Sequence, residues 1–337
     1  MSKRSLQSLL AFVLLVVGMD RALGALLGAL HQRTFTGERA GLLNLALSQS
    51  ADILVLGSSR AQYQVMPSVL ARELPGRIYN AGLKGHDLLY ASMLLDLWER
   101  RHPAPRAVIL NVDMESLLRR PNELAAAQIF APYLDESARV RAVLYQGGVY
   151  KRLAYVSRAY RYNGRVLGIL KNLMRAPDPQ YDGYLPAPGR FDPRQGVDRH
   201  GLMDMPVSEP PSDAVALRLA EAPYWDFKLE LLEGLARSAQ HGGYRLFLVH
   251  SPVYGLHAQA HGTWLRRMQR WAASQPAVSL LDLCEHAHPR ELASADLFMN
   301  FNHLNVEGAR TFSALLGAAV ARELARAPSA PAVRAGL

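Results

Sequence analysis

Cysteine is almost absent: Cys284 is the single one in 337 residues. No internal disulfide can form, which excludes the small secreted scaffolds that rely on cross-links. Cys284 ends an apolar run and reads as a small core residue. The chain also has no basic arm, although 38 Lys and Arg against 29 Asp and Glu leave a formal charge of +9. Charge spread so evenly suits solubility and attraction to anionic surfaces, such as a membrane or a charged envelope polymer, so no nucleic-acid partner is expected. Metal frameworks are missing too. His257 with His261, and His286 with His288, have ligand-like spacing but no cysteine or carboxylate set beside them, so no metal is expected. Gly82 and Gly85 form a Gly-x-x-Gly without the lysine and hydroxyl residue of a phosphate loop, and no cofactor is expected.

The N-terminus is apolar. Lys3 and Arg4 precede an uncharged stretch at 5–19, Asp20 and Arg21 interrupt it, and 22–30 is apolar again. A bilayer span takes about 20 predominantly apolar residues, and the uncharged core here is shorter. Three readings compete: a signal peptide cleaved near residues 22–24, an uncleaved signal anchor, or a buried amphipathic helix. The helical pattern runs past the cleavage point unbroken, which favours an anchor at 5–30. Positive residues before the span place the N-terminus in the cytoplasm and the main domain outside it, as in a single-pass protein.

Beyond a polar linker, short apolar runs alternate with helical patterns. Runs at 52–57 (DILVLG), 77–82 (RIYNAG), 107–113 (AVILNVD), 244–250 (YRLFLVH) and 278–283 (VSLLDL) read as strands. Helical patterns lie at about 68–74, 86–101, 214–240, 258–274 and 307–325. Such alternation predicts a three-layer α/β/α sandwich of flavodoxin-like type, with a parallel five-stranded sheet, a helical insertion and an N-terminal membrane helix. The domain is placed at 40–326, with the insertion at about 116–213 capping a site above the sheet, and a disordered tail at 327–337.

In such a sheet, ligands sit beyond the carboxyl ends of the strands. Ser58 and Ser59 stand there after the first strand, where a helix N-terminus offers backbone N–H groups to a developing oxyanion. The segment Asn80-Ala81-Gly82-Leu83-Lys84-Gly85 follows the second strand on the same edge. His303 lies on a loop before the last helix, whose cap is Asn305, and histidine titrates near neutrality as a serine's base must. His250 closes the fourth strand on the same edge and is a candidate pocket residue with Arg60 and Asn80. Each of these residues alone has an ordinary structural explanation.

Together, DILVLGSSR at 52–60, YNAGLKG at 79–85 and NHLNVEGA at 302–309 resemble the SGNH/GDSL hydrolase superfamily, closest to its membrane-anchored bacterial cell-envelope members. The resemblance implies Ser59 as nucleophile and as one oxyanion donor, Gly85 as a second backbone donor, and His303 as the base. It further implies an esterase or O-acyltransferase working on acyl groups of envelope or extracellular polysaccharide, with an acylated glycan or other ester as substrate and a membrane acyltransferase as partner. Two departures stand out. Asn300 occupies the place of the family's aspartate three residues before the histidine, with Asp296 as a substitute further back. The family's oxyanion asparagine has no clear equivalent: Asn111 lies inside the third strand, and Asp113 and Glu115 occupy its end. These departures support a competing expectation, an impaired scaffold that binds glycan or partner proteins.

Overall fold

The computed structural model describes residues 2–36, 39–174, 182–191, 212–255, 258–284 and 289–326; the tail at 327–337 lies outside them. The chain divides into two compact units, one made of 1–48 and 124–179 and the other of 49–123 and 180–337.

The second unit is built on a parallel sheet. Its strands are β1 (Ile53–Leu56), β2 (Ile78–Asn80), β3 (Ala107–Asn111), β4 (Arg245–His250) and β5 (Val278–Asp282). Their order is β2-β1-β3-β4-β5, the flavodoxin-like arrangement. Ile53 pairs with Ile78 on one side and Ala107 on the other, which buries β1 and β3 at the centre. Short runs of Val, Ile and Leu take this position because both faces must be apolar and β-branched chains pack well on a pleat.

Alternate side chains go to opposite faces. Ile53, Val55, Ile109, Phe247 and Val249 share one core cluster with Phe312, Leu316 and Val320 of the last helix, Val306–Arg326. On the other side, helix Asp226–Gly242 packs on β4 and on helix Leu88–Glu99, while Ala258–Ala273 packs on β5. The three-layer α/β class expected from the alternation is the one found.

Two predictions differ in detail. The pattern at 214–240 is split into Asp213–Glu221 and Asp226–Gly242. Pro223 is the cause, because the residue before a proline avoids the helical region, and Ala222 sits at φ −54°, ψ 143°. The loop predicted around His303 is instead a small antiparallel hairpin, β6 (Phe298–Asn300) with β7 (His303–Leu304).

Lys228 begins the outer helix and is wholly buried. Its ammonium meets Asp87 Oδ2 and Glu123 Oε2, each at 2.6 Å, and donates to Leu118 O at 2.8 Å. Asp87 also caps helix Leu88–Glu99 by accepting from Leu89 N at 3.0 Å.

In the first unit, helix Lys3–His31 is the one described helix long and apolar enough to cross a membrane. Residues 2–19 are exposed throughout, so this is no core helix. From Asp20 onward it is fastened into its unit. Asp20 accepts from Arg158 N at 2.9 Å, Ala159 N at 3.1 Å and the Ser157 hydroxyl. Arg21 donates to Val156 O at 2.8 Å. Gly24 lies so close to Arg158 that a Cβ would come within 2.4 Å of that residue's own Cβ. Beyond the helix, Asn44 donates to His31 O at 2.6 Å and Thr34 O at 2.9 Å and accepts from Tyr133 Oη. Cleavage near residues 22–24 would remove an element that the unit is packed around.

Removing one member of a buried ion cluster leaves charge without compensation, at a cost of about 3–5 kcal/mol. Lys228→Met is expected to lower the unfolding free energy by about that amount in a urea titration. A loss below about 1 kcal/mol would show that Asp87 and Glu123 find other counter-charges.

Candidate active site

The strand order reverses between β1 and β3, and the crevice at their carboxyl ends is where ligands bind in this architecture. β1 ends there at Gly57, and Ser59 opens helix Ser59–Gln64, capped by Ser58, whose hydroxyl accepts from Arg60 N at 3.3 Å. The chain returns to this point 244 residues later. Ser59 Oγ lies 2.7 Å from His303 Nε2.

The other side of the ring is held just as firmly. His303 Nδ1 is 3.0 Å from Asn300 Oδ1, which also accepts from His303 N at 2.9 Å and Asn302 N at 3.2 Å. Two backbone donors on that atom require it to be the amide oxygen and not the nitrogen. The oxygen can only accept, so the ring proton sits on Nδ1 and Nε2 is left to accept from the serine. Asp296, the alternative third member, is directed elsewhere: it pairs with Arg190 at 3.6 Å and is 69% exposed.

The hairpin is locked to the helix behind it. Leu297 O accepts from Asn305 N at 2.9 Å, and Asn305 Oδ1 caps the helix through Glu307 N at 3.1 Å and Gly308 N at 3.0 Å. A Cβ on Gly308 would stand 2.0 Å from Leu297 O. The glycine of the NHLNVEGA segment is therefore needed for that close approach.

The segment after β2 packs against the nucleophile turn. Leu83 N donates to Gly57 O at 3.0 Å, Lys84 N to Gln62 Oε1 at 3.0 Å, and Gly82 N to Asn80 Oδ1 at 2.9 Å. Gly85 follows at φ 75°, exposed, and among the described residues its N–H has no acceptor.

Several predicted pocket residues carry hydrogen bonds that hold the turn in place. Asn80 is buried and donates to Ala61 O and Val65 O, both at 2.8 Å, tying β2 to the serine helix. Arg60 is buried too; it donates to Ser251 O and to Pro252 O (3.3 Å) and faces Asp113 at 3.6 Å. Asn111 does not offer its amide to the crevice: Nδ2 donates to Ser251 Oγ at 2.8 Å and Val249 O at 3.3 Å. A small depression beside Ser58 is lined by Asn111, Asp113, Ser116, Arg120 and Asp87, and the Ser59–His303 pair does not line it. The acidic strand end is contained. Burial alone would raise Asp113, but Arg60, Arg120 and His250 outweigh it and hold the carboxyl below its usual range. Glu115 is raised, by burial and then by Asp113.

His250 belongs to a cluster that the spacing of histidines did not reveal. Its Nδ1 lies 3.2 Å from Asp282 Oδ1, and His261 Nε2 lies 3.2 Å from the same oxygen, with Cys284 beside them. These donors are of the kinds metals take, and two zinc ligands stand about 3.3 Å apart. The sulfur, however, is 3.6 Å from one His261 nitrogen and 3.8 Å from the other. It sits beside the ring and not ahead of a lone pair, where an ion would have to lie. Arg60 also disfavours positive charge at His250, whose burial takes it down to about 4. The cluster is a pair of stacked histidines sharing one carboxylate, and it ties the paired ends of β4 and β5 together. His257, His286 and His288 lie outside the described residues.

No protein-family model matches the chain, and no curated protein matches it. Among solved structures, a protein from Streptococcus pneumonia named for platelet activating factor aligns over 95% of this chain and 100% of its own, at 11% identity and a TM-score of 0.37. At such values, function has to be argued from the site.

Burial, with Arg60 adding to it, takes the His303 imidazole from 6.5 down to about 4. The proton-accepting neutral form is then present above that pH and lost below it. A kcat/KM profile on an ester substrate is expected to show its acid limb near pH 4. Asn300→Asp adds a negative charge beside Nδ1, stabilises the imidazolium and should move the limb upward by roughly one unit or more. An unmoved limb would mean that His303 is not the titrating base.

Proposed function

We propose that this chain is a serine esterase or O-acyltransferase of SGNH type, tethered to a bacterial inner membrane with its catalytic unit on the periplasmic side. It would act on acyl groups of cell-envelope or extracellular polysaccharide. The observation that carries this is the Ser59 Oγ–His303 Nε2 contact of 2.7 Å, with the opposite ring nitrogen on Asn300 Oδ1 at 3.0 Å.

The chemistry follows from that geometry. Nε2 takes the Ser59 hydroxyl proton as Oγ attacks the ester carbonyl carbon. The carbonyl oxygen gains negative charge and is met by the N–H groups of Ser59 and Gly85. Nε2 then gives its proton to the leaving alkoxide as the C–O bond breaks, leaving an acyl group on Oγ. Water, deprotonated by Nε2, releases the acid; a sugar hydroxyl in the same place yields acyl transfer. Asn300 fixes the tautomer but brings no charge to the imidazolium, so the rate should fall short of an aspartate-supported site. The positive net charge and the apolar helix suit an anionic envelope, and a membrane acyltransferase is the natural donor partner for transfer.

A second possibility has a specific observation behind it. The neutral Asn300 and the committed amide of Asn111 together favour an impaired scaffold that binds glycan in an envelope assembly.

The test is turnover of p-nitrophenyl acetate and acetylated xylan by the full chain in detergent. Ser59→Ala and His303→Ala are each expected to lower kcat by about 10³-fold or more. Turnover that survives Ser59→Ala would remove the serine from its role. Absence of turnover in the parent, together with retained glycan binding, would favour the scaffold.

A further inference from the structure

Among the described residues, every large apolar side chain left exposed belongs to the first unit, except Leu185. Beyond the N-terminal helix they gather on two short helices. Val149–Ala154 and the residue after its cap expose Val149, Tyr150, Leu153 and Val156, a stripe at helical spacing. Val166–Leu173 exposes Val166, Leu167, Leu170 and Leu173, continued by Met174. Leu167 is 83% and Met174 84% exposed, values that a soluble protein seldom tolerates side by side.

The opposite side of Val166–Leu173 is buried on the membrane-length helix: Ile169 packs with Leu27, Tyr162 and Leu30. The stretch just after Val149–Ala154 meets the same helix through the bonds of Asp20 and Arg21 to residues 156–159. Both apolar stripes are thereby attached to the segment at 20–30. The outward side of that segment stays apolar, with Ala22, Leu23, Ala25, Leu26 and Ala29 exposed, while Asp20 and Arg21 bond to residues 156–159. Residues 5–29 at about 1.5 Å per residue span roughly 37 Å, interrupted only by the Asp20–Arg21 pair that bonds to residues 156–159. A hydrocarbon core is about 30 Å thick, so the bilayer reaches the level where the two helices attach.

Charge identifies the occupant. Residues 137–174 contain eight Lys and Arg and no Asp or Glu. Lys151 and Arg152 flank one stripe and Lys171 the other, and Tyr150 supplies an amphipathic ring of the kind enriched at membrane interfaces.

We infer that the helices Val149–Ala154 and Val166–Leu173 lie in the interface of the same bilayer the N-terminal helix crosses, with their apolar stripes among the acyl chains and their basic residues on anionic headgroups. The partner is the lipid surface itself, and the charged pair at 20–21 is bonded to residues 156–159 of the same unit. This rests on the membrane tether proposed above, and the test separates the two.

The full chain carrying Cys284→Ala is reconstituted in vesicles of phosphatidylethanolamine and phosphatidylglycerol. A nitroxide is attached at Leu14→Cys, Leu153→Cys, Leu167→Cys or Arg322→Cys, one site at a time. Oxygen, which concentrates in hydrocarbon, is expected to collide with the labels at 14, 153 and 167 more than a polar nickel chelate does. The order should reverse at 322. A deep label at 14 with aqueous labels at 153 and 167 would overturn the inference and leave the tether standing. Labels at 153 and 167 that are immobile and reached by neither reagent would mean that protein covers them, which also overturns it. An aqueous label at 14 would overturn tether and inference together.

Discussion

A single carbonyl oxygen, Oδ1 of Asn300, organises the candidate site. It accepts from two consecutive backbone N–H groups and from the imidazole, all within 3.2 Å. The backbone bonds shape the turn between β6 and β7 and orient the amide; the third bond then orients the ring. An aspartate could do the same and add charge. Asparagine keeps the geometry and gives up the electrostatic part, so positioning and charge stabilisation, which usually arrive together at such a position, are separated here. The buried imidazole compensates in one respect only: it is neutral and able to accept a proton over most of the pH range.

Much of the fold was legible because its signals are local. A run such as Ile53–Leu56 is apolar at every position, and only a strand covered on both faces wants that. That Ser59 and His303 would lie at the same sheet edge was legible through the strand end before the serine and through the segments around both residues. Distance relations were not. Nothing in the chain announces that His250 and Asp282 stand opposite each other, because that depends on the register of β4 against β5. Lys228 reads as one more polar residue on an amphipathic helix, although three partners from distant segments surround its ammonium. Arg60 and Asn80 looked like pocket residues because they lie beside the motif. In the structure both fasten the turn that carries Ser59, through bonds to Ser251 O and Pro252 O and to Ala61 O and Val65 O.

The interruption of the N-terminal apolar run by Asp20 and Arg21 had a similar ambiguity. In sequence it shortens the span; in space both side chains turn toward residues 156–159 and are satisfied by them. A charge that would be expensive in lipid becomes an attachment point when the rest of its unit supplies the donors and acceptors. The helical segment at 124–179 thus belongs with the unit of the N-terminal helix, and the large apolar side chains left exposed among the described residues lie in that unit, Leu185 excepted.

The separation of 244 residues between Ser59 and His303 has a consequence for how the chain comes into being. The hydroxyl has no acceptor until the last helix has docked and carried the hairpin to the first strand, which makes this one of the longest-range contacts in the molecule. Until then the Ser59–His303 pair does not exist, and a chain cut short before residue 300 lacks it however well its sheet forms. The pairing is in this sense timed by topology: Ser59 emerges as one hydroxyl of an ordinary segment, and its partner reaches it only when the last helix closes the fold.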